Sequence, residues 1–273
     1  MRGSVTVGRV AAHLPLALGA AVMLLPFVWM VLTSFRPADA VFAGFGLSTF
    51  AGLANYAHAL GTAPLLRFML NGVIVCAGIL AVQLLVAIPA AYALAKLSFR
   101  GRSLLFALVV AGLCIPIQVP ALPLYLGLAR AGLLDTYLAM MFPFFLSVFA
   151  IFLFRQFFKS FPDEIIQAAR LDGAGEFEIV WRFVAPAALP AISAFSIFSV
   201  VAHWNDLYWP LIVITETRLA PPPLGMLYFR DAETGSNYGA LMAGATVVTA
   251  PLVLAFLVAR RRFIQGVTMT GLK

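Results

Sequence analysis

Between Arg67 and Lys96 the chain runs for 28 residues without a charged side chain. A helix needs about 20 apolar residues to cross the hydrocarbon of a bilayer, so a run of this length reads first as a membrane span. It is not isolated. Leu14–Thr33 supplies 20 more uncharged residues, and further uncharged stretches cover 104–129, 136–154, 183–205 and 238–259. Charged residues make up 11% of the 273 residues and hydrophobic ones 63%. Soluble domains carry roughly 25% charge. A single soluble globular domain and a disordered chain are both excluded, and the expected fold class is all-α integral membrane with six transmembrane helices.

One further uncharged stretch, 40–66, is expected to lie outside the bilayer. It contains Gly44, Gly46, Gly52, Asn55, Gly61 and Pro64 among other loop formers, which predicts an exposed connection with one short helix. Near the N-terminus, Ala38-Asp39-Ala40 imitates a signal-peptide cleavage site. The length of the preceding apolar run favours a retained first span instead.

The basic residues orient the chain. With the N-terminus inside, 13 Lys and Arg fall on the cytoplasmic side and 5 (Arg36, Arg67, Arg130, Arg218 and Arg230) on the other. Cytoplasmic loops carry the excess of Lys and Arg, so both termini are expected in the cytoplasm. The same excess accounts for the net charge of +7 without nucleic acid as a partner. Cys76 and Cys114 sit inside apolar runs, and His13, His58 and His203 are far apart, so no metal-ligand spacing occurs. Prolines recur within the spans, at 89, 116, 120, 123, 143 and 190. Each removes a backbone donor and kinks or breaks its helix. Packing geometry and a bent bundle around a pathway both explain them.

The loop from Lys159 to Pro186 has a different character, with five of the eleven acidic residues. It predicts helix, tight turn, helix. Pro162 suits the first helical position, and Asp163 and Glu164 suit the positive end of the helix dipole. Glu164, Ala168 and Asp172 share one stripe, with Ile165, Ala169 and Leu171 on neighbouring stripes. Gly173 stops the helix, and Phe177, Val180, Trp181 and Val184 form a second amphipathic run. Ala168 and Ala169 keep the surface low, so another backbone can approach. By these features alone, a solvated hairpin on the membrane surface remains an equal reading.

The string QAARLDGA at 167–174, followed by Pro186 and Pro190, closely resembles the E-A-A loop of ABC-importer permeases. The likeness is to the carbohydrate-uptake group that includes the maltose permease MalG and the glycerol-phosphate permease UgpE. FLFRQFF at 152–158, WNDLYWPLIVIT at 204–215 and RRFIQGVTMTGLK at 261–273 support it. The resemblance implies one transmembrane permease domain over 1–273, of the type I importer fold, with a core at 66–262 and the E-A-A loop at 159–186. It implies a coupling helix that docks on a separate ATPase homodimer, with Gln167, Ala168, Ala169, Asp172 and Gly173 as docking residues. Glu164 lies one turn earlier and could stand in for the Glu that the family commonly has where this chain has Gln167. Other implied partners are a second, MalF/UgpA-like permease and an extracytoplasmic solute-binding protein that meets segments 35–67 and 206–237. The implied location is the bacterial inner membrane.

The chain itself is expected to bind no cofactor. Its three lysines, Lys96, Lys159 and Lys273, do not follow glycine as a phosphate-binding loop requires, so ATP and Mg belong to the partner ATPase. No nucleophile motif or catalytic constellation occurs, so the chain is expected to be a transport subunit and not an enzyme. Polar groups in or near the spans are candidates for a solute path: Asn71, Gln118, Trp204, Asn205 and Asp206 first, then Gln83, Ser147, Ser193, Ser196, Ser199 and His203. Asp206 falls roughly 30 Å beyond Pro186 along a helix, near the outer face, among Trp204, Tyr208 and Trp209. An aromatic interfacial belt and a sugar-binding cluster both fit that grouping. A secondary transporter driven by an ion gradient is the competing class. The absence of charge deep in the proposed spans weighs against it.

Overall fold

The computed structural model describes residues 2–37, 50, 52–232 and 237–269. Among these every regular element is helical. The first is α1 (Arg2–Ser34), followed by α2 (Ala54–Thr62) and α3 (Leu65–Lys96). Then come α4 (Arg102–Gly112), α5 (Ala121–Arg130), α6 (Tyr137–Met141) and α7 (Val148–Lys159). Next are α8 (Asp163–Leu171), α9 (Glu176–Ile179), a π-helical turn (Val180–Val184) and α10 (Ala185–Ala187). The chain continues through α11 (Leu189–Trp204), α12 (Tyr208–Val213), α13 (Pro222–Ala232) and α14 (Tyr238–Met269). The Ala38-Asp39-Ala40 string lies outside the described residues, as do the last residues of the 261–273 string.

Three helical stretches are long and apolar enough to cross a membrane unbroken: His13–Ser34, Leu65–Lys96 and Tyr238–Leu257. Their outward faces carry large apolar side chains such as Met23, Leu70 and Leu254, as lipid contact requires. Two more stretches are bent pairs. Tyr137–Phe144 meets Val148–Lys159 at 44°, and Glu176–Ala187 meets Leu189–Trp204 at 81°. The expected third span, 104–129, is not continuous. It is two short helices, α4 and α5, joined by turns over 113–120. Pro116 and Pro120 explain the break, because each lacks an amide donor and keeps the preceding residue out of helical geometry.

Proline has two different outcomes in this chain. Pro89 lies inside α3 without ending it, whereas Pro143 and Pro190 lie at the two bends. The 81° bend also corrects the expected fifth span of 183–205. Only Leu189–Trp204 continues past the bend, and 183–187 belong to the second arm of the 159–186 hairpin. The rise from Leu189 to Trp204 is therefore about 24 Å. In the 206–237 segment, Pro222 opens α13.

The chain divides into two compact units, Met1–Leu66 with Met226–Ala250, and Arg67–Gly225 with Pro251–Lys273. In the first unit α2 holds the end of α1. The Asn55 amide donates to the carbonyls of Ser34 (2.9 Å) and Arg36 (2.7 Å), two acceptors that a helix end leaves without helical partners. Gly239 is required beside this contact, since a Cβ there would stand 2.5 Å from the Arg36 carbonyl. In the second unit one apolar core joins α3 (Ala87, Ile88 and Ala91), α7 (Ile151, Phe154 and Phe158) and α11 (Ala191 and Phe195). Ile166 and Ala169 of α8 enter the same core. That contact positions the loop carrying the sequence motif.

Candidate functional site

The 159–186 loop folds as the expected hairpin. Pro162 immediately precedes α8, one residue earlier than expected, and Asp163 and Glu164 occupy the first turn with Arg170 in the last. Opposite charges thus sit at the two ends of the helix dipole in their favourable places. The helix ends in a Schellman arrangement. The amide of Gly173 donates to the Arg170 carbonyl (3.1 Å) and that of Ala174 to the Ala169 carbonyl (3.0 Å). Gly173 takes φ +85°, and a Cβ there would meet nothing within 4 Å. The glycine is therefore needed for its backbone conformation and leaves open space above it.

The hairpin has two distinct faces. Ile166 and Ala169 are buried, 3% and 4% exposed. Glu164, Gln167, Ala168, Asp172 and Gly173 are all exposed. Ala169 therefore does not share the outward surface expected of it. It packs inward, because α8 turns its apolar stripe at 166 and 169 onto the core. Two apolar side chains join the outward set, Leu171 at 90% and Phe177 at 71% exposure. Leu171 directly precedes Asp172 and Gly173, and Phe177 follows Gly173 by four residues.

Polar contacts fix the hairpin to the membrane helix beside it. The buried Tyr92 hydroxyl donates to Glu176 Oε2 (2.7 Å), while Arg170 Nε donates to Glu176 Oε1 (2.7 Å). Both carboxylate oxygens are engaged, one by α3 and one by α8. The Glu176 contact raises the pKa of the Arg170 guanidinium further above its usual value. Lys96, at the end of α3, donates to the Phe161 carbonyl and to Asp163, each at 2.6 Å. Tyr92, Lys96 and Glu176 were not singled out in the sequence. Their only signal there is the nearness of Tyr92 and Lys96 to the end of a charge-free run.

The opposite end of the second unit gathers most of the solute-path candidates, and there the side chains serve the fold. Asn71 is 1% exposed. Its amide donates to the carbonyls of Arg218 (3.0 Å) and Ala220 (2.9 Å), and its oxygen accepts from the Tyr137 hydroxyl (2.6 Å). Arg67 Nε adds a bond to the Arg218 carbonyl (2.8 Å). Trp204 is 5% exposed and packs beside Gly72. Asp206 accepts from the Trp209 amide (3.3 Å) at the start of α12, and Trp209 is buried with its indole donating to the Ala139 carbonyl (2.8 Å). The two tryptophans thus present no open aromatic face. Asn205 and Gln118 are exposed, Asn205 at the end of α11 and Gln118 in the turns between α4 and α5.

Asp135 is the residue at this end that sequence reasoning missed. It holds φ +54°, uncommon outside glycine. Its carboxylate accepts from the Thr215 amide (2.6 Å), the Thr215 hydroxyl (2.8 Å) and the Glu216 amide (3.0 Å). Burial pushes its pKa up, but the bonds from Glu216 and Thr215 outweigh burial and hold it below the usual aspartate value. Deeper in the unit, Gln83 donates to the Phe144 carbonyl (2.9 Å) and accepts from Ser199 (2.7 Å), with the His203 ring 3.5 Å away. Ser147 caps α7, and Ser196 bonds the Ile192 carbonyl.

Residues 83–269 match the protein family described as "Binding-protein-dependent transport system inner membrane component". The chain belongs to this family. Among its curated relatives is the arabinooligosaccharides transport system permease protein AraQ of Halalkalibacterium halodurans. It is 32% identical over 254 residues, covering 91% of this chain and 90% of AraQ. The diacetylchitobiose uptake system permease protein NgcG of Streptomyces coelicolor is 30% identical over 261 residues (94% and 86%). The sn-glycerol-3-phosphate transport system permease protein UgpE of Agrobacterium fabrum is 30% identical over 281 residues (97% of each). A chain from the crystal structure of a bacterial ABC transporter involved in import of the polysaccharide alginate superposes with a TM-score of 0.80. It covers 96% of this chain and 98% of that one, at 21% identity, a likeness in fold. The permease is thus a multi-pass inner-membrane transport subunit of the carbohydrate-uptake ABC group, with the type I importer fold, and not an enzyme. The hairpin lies wholly inside the matched region.

Proposed function

We propose that this permease lines one half of a solute path, completed by a second permease, and takes its driving force from a separate ATPase that holds ATP and Mg. The hairpin at 159–186 acts as the E-A-A coupling loop. Glu164, Gln167, Ala168, Leu171, Asp172, Gly173 and Phe177 face the ATPase. The observation that carries this reading is the hairpin's division into an inward apolar stripe locked to the permease core and an outward face that the chain leaves open. A push on that face reaches α3 through Glu176 and Tyr92, and α11 through the second arm, whose Ile179, Val180 and Val184 are buried in the same core. Gln167 supplies a neutral carboxamide, so recognition there proceeds by hydrogen bonding and apolar contact without a charge pair.

The solute is a carbohydrate or a glycerol derivative. The names of the relatives support this class, and an extracytoplasmic binding protein delivers the solute. Gln118 and Asn205, the exposed carboxamides, are the path residues best placed to meet sugar hydroxyls. The count of Lys and Arg puts the hairpin and both termini in the cytoplasm.

The test is to tag the N-terminus, extract the chain gently from its native membrane and identify the co-purifying proteins. Recovery of a second permease and an ATPase, with the ATPase lost on Gly173→Asp, is expected. A chain that purifies alone and transports sugar into liposomes without ATP would overturn the reading.

A further inference from the structure

A groove of about 420 Å³ runs between α3, α4 and α7, walled by apolar side chains that include Ala93, Leu94, Leu105, Val109, Val148 and Ile151. Arg102 and Arg155 do not line it but lie near one end, Arg155 through a bond to the lining residue Leu94. On α4, Leu105 and Val109 follow Arg102 by three and seven residues, so they share its face. On α7, Val148 and Ile151 precede Arg155 by seven and four. Arg155 donates from Nε to the carbonyl of Leu94, itself a wall of the groove (3.2 Å), and lies 3.5 Å over the Phe106 ring. Arg102 donates to the Leu97 carbonyl (2.9 Å) and is close enough to repel Arg155. Both are half-buried, and among the described residues neither pairs with a carboxylate.

Two neighbouring like charges near the end of an apolar trough suit an anion with an apolar tail. We propose that the groove seats an anionic phospholipid, its phosphate between Arg102 and Arg155 and one acyl chain along the trough. The assignment rests on the orientation given above, which places this end at the cytoplasmic surface. Basic pockets between membrane helices on that side suit anionic headgroups. An apolar helix from a neighbouring subunit would fill the trough but leave the arginine pair without a counter-charge. A free phosphate would answer the charges but leave the trough empty.

The experiment uses the full chain in mild detergent, exposed to equal phosphatidylglycerol and phosphatidylethanolamine with identical acyl chains, and reads retained lipid by native mass spectrometry. Phosphatidylglycerol is expected to be retained preferentially. Arg102→Gln should lower its retention about fivefold, the effect of one basic residue at an anionic surface. Ala93→Phe narrows the trough without altering charge and should lower it comparably. It also guards against the case in which Arg155→Gln fails to fold. Equal retention of the two lipids, or retention unchanged by both variants, would overturn the site. So would displacement by inorganic phosphate at matching concentration, which would make it a small-anion site. Cross-linking from Leu105→Cys to another protein chain in native membranes would also overturn it. Lipid retention by the chain does not depend on recovering an ATPase, so failure here and failure of the coupling reading are separately visible.

Discussion

The two ends of the Arg67–Gly225 region treat their polar residues in opposite ways. At the hairpin, Gln167, Ala168, Asp172 and Gly173 of the sequence motif lie outward, while Ala169 packs into the core and Tyr92, Lys96, Asp163, Arg170 and Glu176 hold the hairpin in place. At the other end, the Asn71 amide nitrogen and the Asp135 carboxylate are engaged chiefly by backbone groups of 215–220, and Trp204 is packed away. A polar side chain in a membrane protein must be satisfied before it can serve a solute, because an unpaired buried group costs about 1–3 kcal/mol. The hairpin delegates that duty to neighbours. The junction at the opposite end performs it in part with Asn71, a residue that looks like a ligand contact.

Gly173→Asp tests the hairpin side of this contrast and has the largest expected effect. A Cβ at Gly173 meets nothing within 4 Å, so the free permease bears only the strain of φ +85°, about 1–2 kcal/mol. Uptake should fall at least tenfold at near-normal membrane levels, because the new side chain enters space the ATPase would occupy. Gly173→Asn, which tolerates left-handed backbone better, should retain intermediate uptake. Wild-type uptake by the aspartate variant would place the docking surface elsewhere.

The junction around Asn71 and Trp204 should answer in stability and not in solute handling. Trp204→Ala removes a buried indole, a change that costs about 3–5 kcal/mol in protein cores. Asn71→Ala strips two carbonyls and a tyrosine hydroxyl of their partner and should cost about 2–3 kcal/mol. Both should lower the thermal midpoint of the detergent-solubilised chain, in that order. Asn205→Ala and Gln118→Ala should leave it unchanged. If Asn71→Ala instead kept its midpoint and altered only solute-stimulated ATP hydrolysis, the assignment of Asn71 to the fold would fail.

The same contrast explains what could be read from the sequence. The three unbroken spans follow from charge-free runs, because hydrocarbon excludes charge regardless of neighbours, but 104–129 and 183–205 are equally charge-free and do not form unbroken helices. Helix α8 is legible for a similar reason: dipole charges at 163, 164 and 170 and a stop at Gly173 are local. Breaks were only half legible. Pro89 and Pro143 look alike in sequence, yet one stays inside a helix and the other marks a bend. The outcome depends on which neighbours satisfy the freed carbonyl, and that is tertiary information. Ala168 and Ala169 look alike too, but a helix step of 100° sends one outward and the other into the core. Asp135 left no periodic trace at all, since its partners lie about 80 residues away.

Asp135 supplies the finest test of the comparison, and its sign follows from the carboxyl being held below the usual aspartate value. A carboxylate favoured in the folded state stabilises above the pKa it has unfolded, about 3.9, and loses that contribution as pH falls through the lower folded value. Amide exchange at Thr215 and Glu216 should therefore be protected and flat from neutral pH down to the ordinary aspartate range. Relative to the intrinsic exchange rate, it should quicken below that range. Asp135→Asn replaces the carboxylate with a neutral acceptor, so protection should be slightly weaker at neutral pH and should lose this acid dependence. Amides of the hairpin at 173 and 174, whose acceptors are backbone carbonyls, should not follow the Asp135 substitution at any pH. An acid transition at 215 and 216 that survives Asp135→Asn would mean that another group holds the 213–220 segment in place.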